Sequence, residues 1–437
     1  MTVAVIDNGY WIHSALDLNA AGYRRIRAQY DARRNQIDTT SGAVSTEENG
    51  HGTHVTSTML DRERNIDNKF IGIAPDADLI SVKAFKADGS GTYLDVIRGI
   101  DWVVANKDLY NIRVLNLSFS TPPRSYYWED PLNQAVMAAW EAGIVVVASA
   151  GNTGPEPMTI GVPGNVPYVI TAGAMTDNYT PGASDDDTMA SFSAAGPTHE
   201  GFVKPDIVAP GGHMLGLMRN DMRIAIDHPH LHDGANYFEM SGTSQSAAVV
   251  SGVVALVVSA DQGLSPDDVK CRLIDSARPA ITATGELAYS PLQQGAGMID
   301  AYAAVYSNAT GCANRGLNIS RDLDDVEHYG GPVNQDEQGN FYLMDPDGGH
   351  HALWDGAFAK GDGYLWSDGY LWSDGYLWSD GYLWSDGYLW SDGYLWSDGY
   401  LWSDGYLWSD GYLWSDGYLW SDSLTETASV NVWVPQE

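Results

Sequence analysis

Positive charge is what this chain most lacks. Only 23 Lys and Arg stand against 57 Asp and Glu in 437 residues, a formal charge of −34. Ten of those charges belong to a repeated hexapeptide near the C-terminus, and the other 377 residues carry the remaining −24. An acidic balance of this size excludes non-specific electrostatic binding to nucleic acid or an anionic membrane surface. It favours solubility and is compatible with calcium or a salty exterior. No window approaches eighteen unbroken apolar residues, which excludes a transmembrane helix of the usual kind. Cysteine occurs only at Cys271 and Cys312. Two free buried thiols are one reading. A disulfide joining a late helix to the segment beyond the core is the other, and it implies an oxidising compartment. Met1 is followed at once by a strand-like run, so no signal peptide is expected in this stretch and the chain is expected to be N-terminally truncated.

What is present is ample chain for a large core and, by length, for two or more domains. Apolar runs of buried-strand length occur at Thr2–Ile6, Leu79–Phe85, Arg113–Phe119, Ile144–Ala150, Tyr168–Ala174 and Asp206–Ala209. They are dense in Val and Ile without alternation, as expected of a parallel sheet covered on both faces. Helical patterns lie between and after them at Tyr93–Asn106, Leu132–Ala142, Ser244–Ala260, Pro266–Ala277 and Asp300–Ser307. The pattern predicts an α/β fold over residues 1–310, a doubly wound, mostly parallel sheet with helices on both faces. Such sheets do their chemistry at the carboxyl ends of the strands, and Asp7 ends its strand. Residues 311–362 read as a linker or a small β-rich module. GYLWSD then repeats ten times over 363–422, and a strand-like tail, 423–437, follows.

Three phrases carry candidate chemistry: VAVIDNG around Asp7, NGHGTHV around His51 and SGTSQSAA around Ser244. A serine hydroxyl is a weak nucleophile until a base takes its proton and a third group orients the base. Asp, His, Ser is one of three unrelated chain orders in which that geometry has arisen. Glycines flank His51, which is expected to open a helix. Ser244 opens a helix that is apolar nearly all round, so dipole and free N–H groups lie beside its hydroxyl. Asn152, in the Gly-rich turn ASAGNTG after a buried strand, is the candidate second donor to an oxyanion.

These phrases and further blocks in order (GIAPDADLISVKAF, GSGTYLDVIRGIDWVV, VLNLSFS, ASAGN, VPYVITAGA, SFSAAGP, KPDIVAPG and QGAGMIDAYAAV) make the chain resemble a subtilase, a subtilisin-like serine protease. The resemblance covers nearly all of residues 1–305. It implies that Asp7 orients His51, that His51 is general base and then acid, that Ser244 is acylated, and that Asn152 completes the oxyanion hole. It also implies that Gly89, Ser90 and Gly91 on one side, and Ser118, Phe119 and Ser120 on the other, hold a polypeptide substrate as an added strand. Ala150, Gly151 and Gly161 would line a small, apolar specificity pocket. Departures are Asn8 where the family usually has Ser or Thr, and Gln245 and Ala248 where it usually has Met and Pro. No cofactor is required for this chemistry. Structural calcium fits the family, but its strong site draws partly on an N-terminal stretch absent here, so no metal ligand is assigned.

Two features stand apart. His228, His230 and His232, with Asp227 and Asp233, form either a metal site on an extended segment or a solvated loop. The hexapeptide tract reads as a β-rich region, either a meander with Asp-Gly turns or a β-solenoid. It serves either as an aromatic surface for self-association, glycans or cell wall, or as a spacer. Tracts of this kind resemble C-terminal tails on some secreted bacterial subtilases. Two functions from different classes follow. One is an extracellular serine endopeptidase with a repeat appendage. The other is a catalytically silent subtilase-like fragment whose repeats serve adhesion or self-assembly.

Overall fold

A computed structural model of the chain describes residues 1–40, 43–180, 186–282, 285–335, 339–344, 427–429 (backbone only) and Val434. The hexapeptide tract, with its expected strand arrangement and contacts, lies outside the described residues.

The strands in chain order begin with β1 (Thr2–Asp7), β2 (Ile26–Asp31), β3 (Gln36–Thr39), β4 (Asp78–Lys83) and β5 (Ser90–Thr92). Then come β6 (Ile112–Leu117), β7 (Val145–Ser149), β8 (Ile170–Thr176), β9 (Thr188–Met189) and β10 (Ile207–Pro210). The last are β11 (Met214–Leu217), β12 (Tyr237–Met240), β13 (Val333–Gln335), β14 (Phe341–Leu343) and β15 (Thr427–Ser429). Nine of them form one sheet in the order β10-β8-β7-β6-β1-β4-β2-β3, with β9 paired to β8. Its inner strands are parallel, while β3 and β9 join antiparallel at their neighbours' edges. The sheet is therefore mixed and mostly parallel.

β1 lies in the interior of this order, between β4 and β6, and every one of its six residues is buried. Neighbouring residues on a strand point to opposite faces. Ile6 meets Gly99 of the Tyr93–Ala105 helix, whose missing Cβ would lie 3.3 Å from Ile6 Cδ1. Asp7 meets Gly52 of the His51–Leu60 helix on the other face. One strand thus carries a helix layer on each side. The chain passes from β1 to partners on both its flanks, which makes its carboxyl end a switch point of the sheet.

The Thr243–Ala260 helix is the central element of the second layer and is buried along most of its length. It has the length and composition of a membrane span, with mean hydropathy 1.6, but 83% of it is buried inside the fold, as expected of a core helix. A buried charge cluster fixes the far side of the sheet. Asp206 sits between Lys204 Nζ at 2.7 Å and Lys270 Nζ at 3.0 Å, and Lys270 also donates to Pro167 O at 2.7 Å. Past the last core helix, Asp322 accepts from Tyr127 Oη at 2.6 Å and Tyr168 Oη at 2.9 Å, and β13 packs its Val333 against Leu292. The described part of the segment after residue 310 is therefore packed on the core.

Cys271 and Cys312 are disulfide-bonded, which decides between the two readings of the cysteines. The bond spans 41 residues of sequence. Chain-entropy arguments for a loop of this size give a stabilisation of about 3–4 kcal/mol. Replacing both cysteines by serine is expected to lower the unfolding free energy by that amount in a denaturant titration.

Candidate active site

Asp7 and His51 are brought together by the fold. β1 delivers Asp7 at its carboxyl end, where Asn8 N donates to Asp7 Oδ1 at 2.7 Å. His51 is the first residue of its helix, and its Nδ1 lies 2.9 Å from Asp7 Oδ1 and 3.0 Å from Oδ2. Both side chains are buried, at 1% and 2% exposure, so the pair is shielded from water. Facing a carboxylate, Nδ1 carries the hydrogen, and Nε2 is left as the basic nitrogen. Two glycines allow this approach. Gly50 has φ 114°, in the left-handed region, and a Cβ at Gly52 would fall 3.1 Å from Asp7 Oδ1 and 2.9 Å from Glu47 Oε2.

Glu47 was not singled out in the sequence, yet it builds the loop that presents His51. Its Oε1 accepts from the backbone N–H groups of Glu48 (3.1 Å), Asn49 (3.0 Å) and Gly50 (3.0 Å). Its Oε2 accepts from Thr53 N at 3.0 Å. One carboxylate thus satisfies donors that a helix start otherwise leaves orphaned. Burial raises its pKa against the pull of the Gly50 N–H, and the Asp7 charge adds to the rise. The available signal was an acidic residue four positions before a histidine that opens a helix.

Ser244 is the second residue of the Thr243–Ala260 helix. Its Oγ donates to Ser118 O at 3.0 Å rather than to His51. Ser118 Oγ in turn donates to Ser244 O at 2.9 Å, which fastens the helix start to the end of β6. Asn152 Oδ1 accepts from Thr243 N at 2.9 Å and Thr243 Oγ1 at 2.8 Å, so the Asn152 amide is held beside the residue preceding Ser244. Gly151 N donates to the same Thr243 hydroxyl at 3.2 Å.

The remaining expected residues fall into two groups. Gly151, Gly161 and Ser120 converge: a Cβ on Gly161 would lie 2.9 Å from Ser120 Cβ, and one on Gly151 would lie 3.3 Å from Ser120 Oγ. Gly161 N also donates to Ala150 O at 2.9 Å, and Phe119 O accepts from Ser149 Oγ at 2.9 Å. Gly89, Ser90 and Gly91 form the second group, at β5. Asn8 Nδ2 donates to Lys86 O at 2.6 Å and Asn49 Nδ2 to Ala87 O at 2.8 Å, so residues beside both Asp7 and His51 hold the turn leading into β5.

His54, one helical turn after His51, is fully buried, with Nε2 donating to Met214 O and Phe238 O, both at 3.1 Å. It pins the β11–β12 hairpin to the helix. Gln245 Nε2 lies 3.4 Å from the other ring nitrogen, which accounts for an amide at that position. Burial pushes the His54 imidazole down to about 4, and the nearby His51 adds to the shift. His230 lies within a short helical segment, Pro229–Leu231, that His228 and His232 flank. His232 Nε2 donates to Met218 O at 2.9 Å. Among the described residues no group of three His, Cys, Asp or Glu is placed to hold a metal ion.

The subtilase family profile matches residues 1–313 of this chain. The chain is 38% identical over 279 residues to the serine protease AprX of Bacillus subtilis (strain 168), covering 62% of this chain and 59% of that protein. It is 33% identical over 239 residues to subtilisin DY of Bacillus licheniformis, covering 54% and 73%. Thus the chain spans less than two thirds of the length of AprX. Among solved structures, a psychrophilic protease designated S41 aligns with TM-score 0.53 at 23% identity, over 68% of this chain and 90% of that one. Fervidolysin from Fervidobacterium pennivorans, a keratinolytic enzyme related to subtilisin, aligns with TM-score 0.51 at 23% identity, over 70% and 42%. These two likenesses concern the fold.

Two outcomes follow from the buried groups. Glu47→Ala leaves several backbone donors without an acceptor and is expected to lower the unfolding free energy by about 3 kcal/mol. A loss below about 1 kcal/mol in denaturant titration contradicts the role given to Glu47. His54 binds its proton in the unfolded chain near pH 6.5 and in the folded chain only near 4. Its contribution is therefore neutral above about pH 6.5, and stability is lost as pH falls from there towards 4. Urea midpoints at several pH values measure this slope, and His54→Gln is expected to flatten it.

Proposed function

The chain belongs to the subtilase family, and on that premise we propose that it is a serine endopeptidase acting through an acyl-enzyme on Ser244. The observation that carries this reading is the buried contact of His51 Nδ1 with both oxygens of Asp7, at 2.9 and 3.0 Å, which leaves Nε2 as the base. Ser244 Oγ first rotates off Ser118 O, its resting acceptor. It then attacks the peptide carbonyl carbon while its proton passes to His51 Nε2. The carbonyl oxygen becomes an oxyanion, taken up by Ser244 N–H at the helix start and by the Asn152 amide nitrogen. His51 next gives its proton to the departing amine as the C–N bond breaks. Water repeats the sequence on the ester and frees Ser244.

Asp7 stays ionised throughout and stabilises the imidazolium that forms beside it. The steps draw on side chains and backbone alone. Structural calcium, if bound, acts on stability rather than on these proton transfers, and turnover with and without added calcium separates the two. Substrate is proposed to pair as an extended strand with Ser90–Gly91 on one side and Ser118–Ser120 on the other. The Ala150, Gly151 and Gly161 walls admit a small or broadly apolar side chain. The disulfide and the acidic composition fit an extracellular workplace.

A fluorophosphonate probe is expected to label the chain and to fail on Ser244→Ala. Undiminished labelling of that variant contradicts the assignment. Removing the side-chain donor of the oxyanion hole in subtilisin lowers kcat by about 10²–10³, and the same range is expected of Asn152→Ala here, read on a chromogenic peptide.

A further inference from the structure

β5 has two edges, and both are occupied. On one side Gly91 bridges antiparallel to Phe85, and Lys86 N donates to Ser90 O at 2.8 Å. Backbone groups alternate between the edges of a strand, so Gly91 turns its own N–H and C=O to the other edge. On that edge lies β15, antiparallel, with Thr427 opposite Thr92, Ala428 opposite Gly91 and Ser429 opposite Ser90. A second anchor follows five residues later, where Val434 is 3% exposed and packs with Ala174, Ala190 and Phe192. The long stretch 345–426 supplies more than enough chain to bring these residues back to the catalytic domain.

We propose that the C-terminal strand Thr427–Ser429 is a built-in occupant of the β5 edge, so that substrate pairs there only after displacing the tail. The proposal rests on the reading of β5 as a substrate edge and adds a competitor for it from the same chain. The mode is strand addition: main-chain hydrogen bonds supply the affinity, and any extended segment in the right register can compete. A tethered segment does not need high intrinsic affinity, because its effective concentration beside the site is in the millimolar range. An edge that is nine-tenths occupied by the tail raises the apparent KM about tenfold and leaves kcat unchanged, since only the open fraction binds substrate. The tail is then a restraint on KM, relieved by high concentrations of extended polypeptide.

The test uses the full chain with Ala428→Pro and Ser429→Pro combined. Two successive prolines remove the N–H groups facing either edge of β15 and leave the catalytic domain untouched. The first readout is amide hydrogen exchange at Gly91, whose N–H faces β15, in a Ser244→Ala background, which is independent of activity. The expected result is exchange about tenfold faster in the proline variant than in its parent, in line with the same occupancy. Equal exchange overturns the docking. The second readout is peptide hydrolysis with Ser244 intact, where KM is expected to fall several-fold at constant kcat. Faster exchange with unchanged KM overturns the competition with substrate. A chain that turns over no peptide at all refutes the proposed protease function, while the exchange comparison still decides whether the tail docks.

Discussion

A carboxylate buried to 1% exposure must be compensated, and the pairing of Asp7 with His51 is how this molecule does it. An unpaired ion in that position would cost several kcal/mol after relaxation. The compensation sets requirements outward from the pair. β1 must lie inside the sheet so that Asp7 emerges at the switch point rather than at a solvated edge. The partner helix must begin at His51, with Gly52 leaving room for Asp7 and Glu47. Glu47 must in turn collect the backbone donors of the loop. Two carboxylates therefore lie close together in a dry region, and each is stabilised by its own donors: Asn8 N–H and the imidazole for Asp7, and four backbone N–H groups for Glu47.

Ser244, the proposed nucleophile, is set by a different device. Ser118 and Ser244 exchange hydrogen bonds, each side chain donating to the other's carbonyl, at 2.9 and 3.0 Å. Asn116 Nδ2 supports Ser118 Oγ at 2.9 Å, and Ser251 Oγ donates back to Asn116 Oδ1 at 2.9 Å. This polar seam ties a helix that is otherwise apolar to the end of β6, and it fixes where Ser244 begins its turn. With every member of the seam bonded, it rigidifies the core rather than weakening it. On the proposed mechanism, Ser244 must leave Ser118 before it can meet His51.

Much of this was legible in the sequence because period and composition report burial. The six apolar runs match β1, β4, β6, β7, β8 and β10 to within two residues, and the five helical patterns match to within one. β2 was not legible, since IRAQYD reads as polar. Its Gln29 is buried because the side-chain amide clamps Val44 N at 2.7 Å and Val44 O at 2.8 Å, and Asp31 because it gathers Arg33 and Arg34. Val44 lies fifteen residues from Gln29, and although the two arginines are sequence neighbours of Asp31, their presence alone does not mark the carboxylate between them as buried. Glu47 was missed although its donors are all within six residues, since its role is visible only once the loop has closed around it. Gln245, read as a departure from the family pattern, meets His54 across two helices. The opposing placement of Asp7 and His51 was inferable from the motifs, whereas the resting bond of Ser244 to Ser118 depends on how the Thr243–Ala260 helix meets the end of β6.

The proposed mechanism rests on the Asp7 carboxylate fixing which nitrogen of His51 is basic. Asp7→Asn tests it most directly, because the amide fills the same space while donating to Nδ1, which turns Nε2 into the protonated nitrogen. The measurement is kcat on a chromogenic peptide beside a thermal unfolding curve of the same preparation. A fall in kcat of about 10⁴ with cooperative unfolding retained is expected. Turnover within about tenfold of the parent chain, for a variant that still unfolds cooperatively, would contradict it.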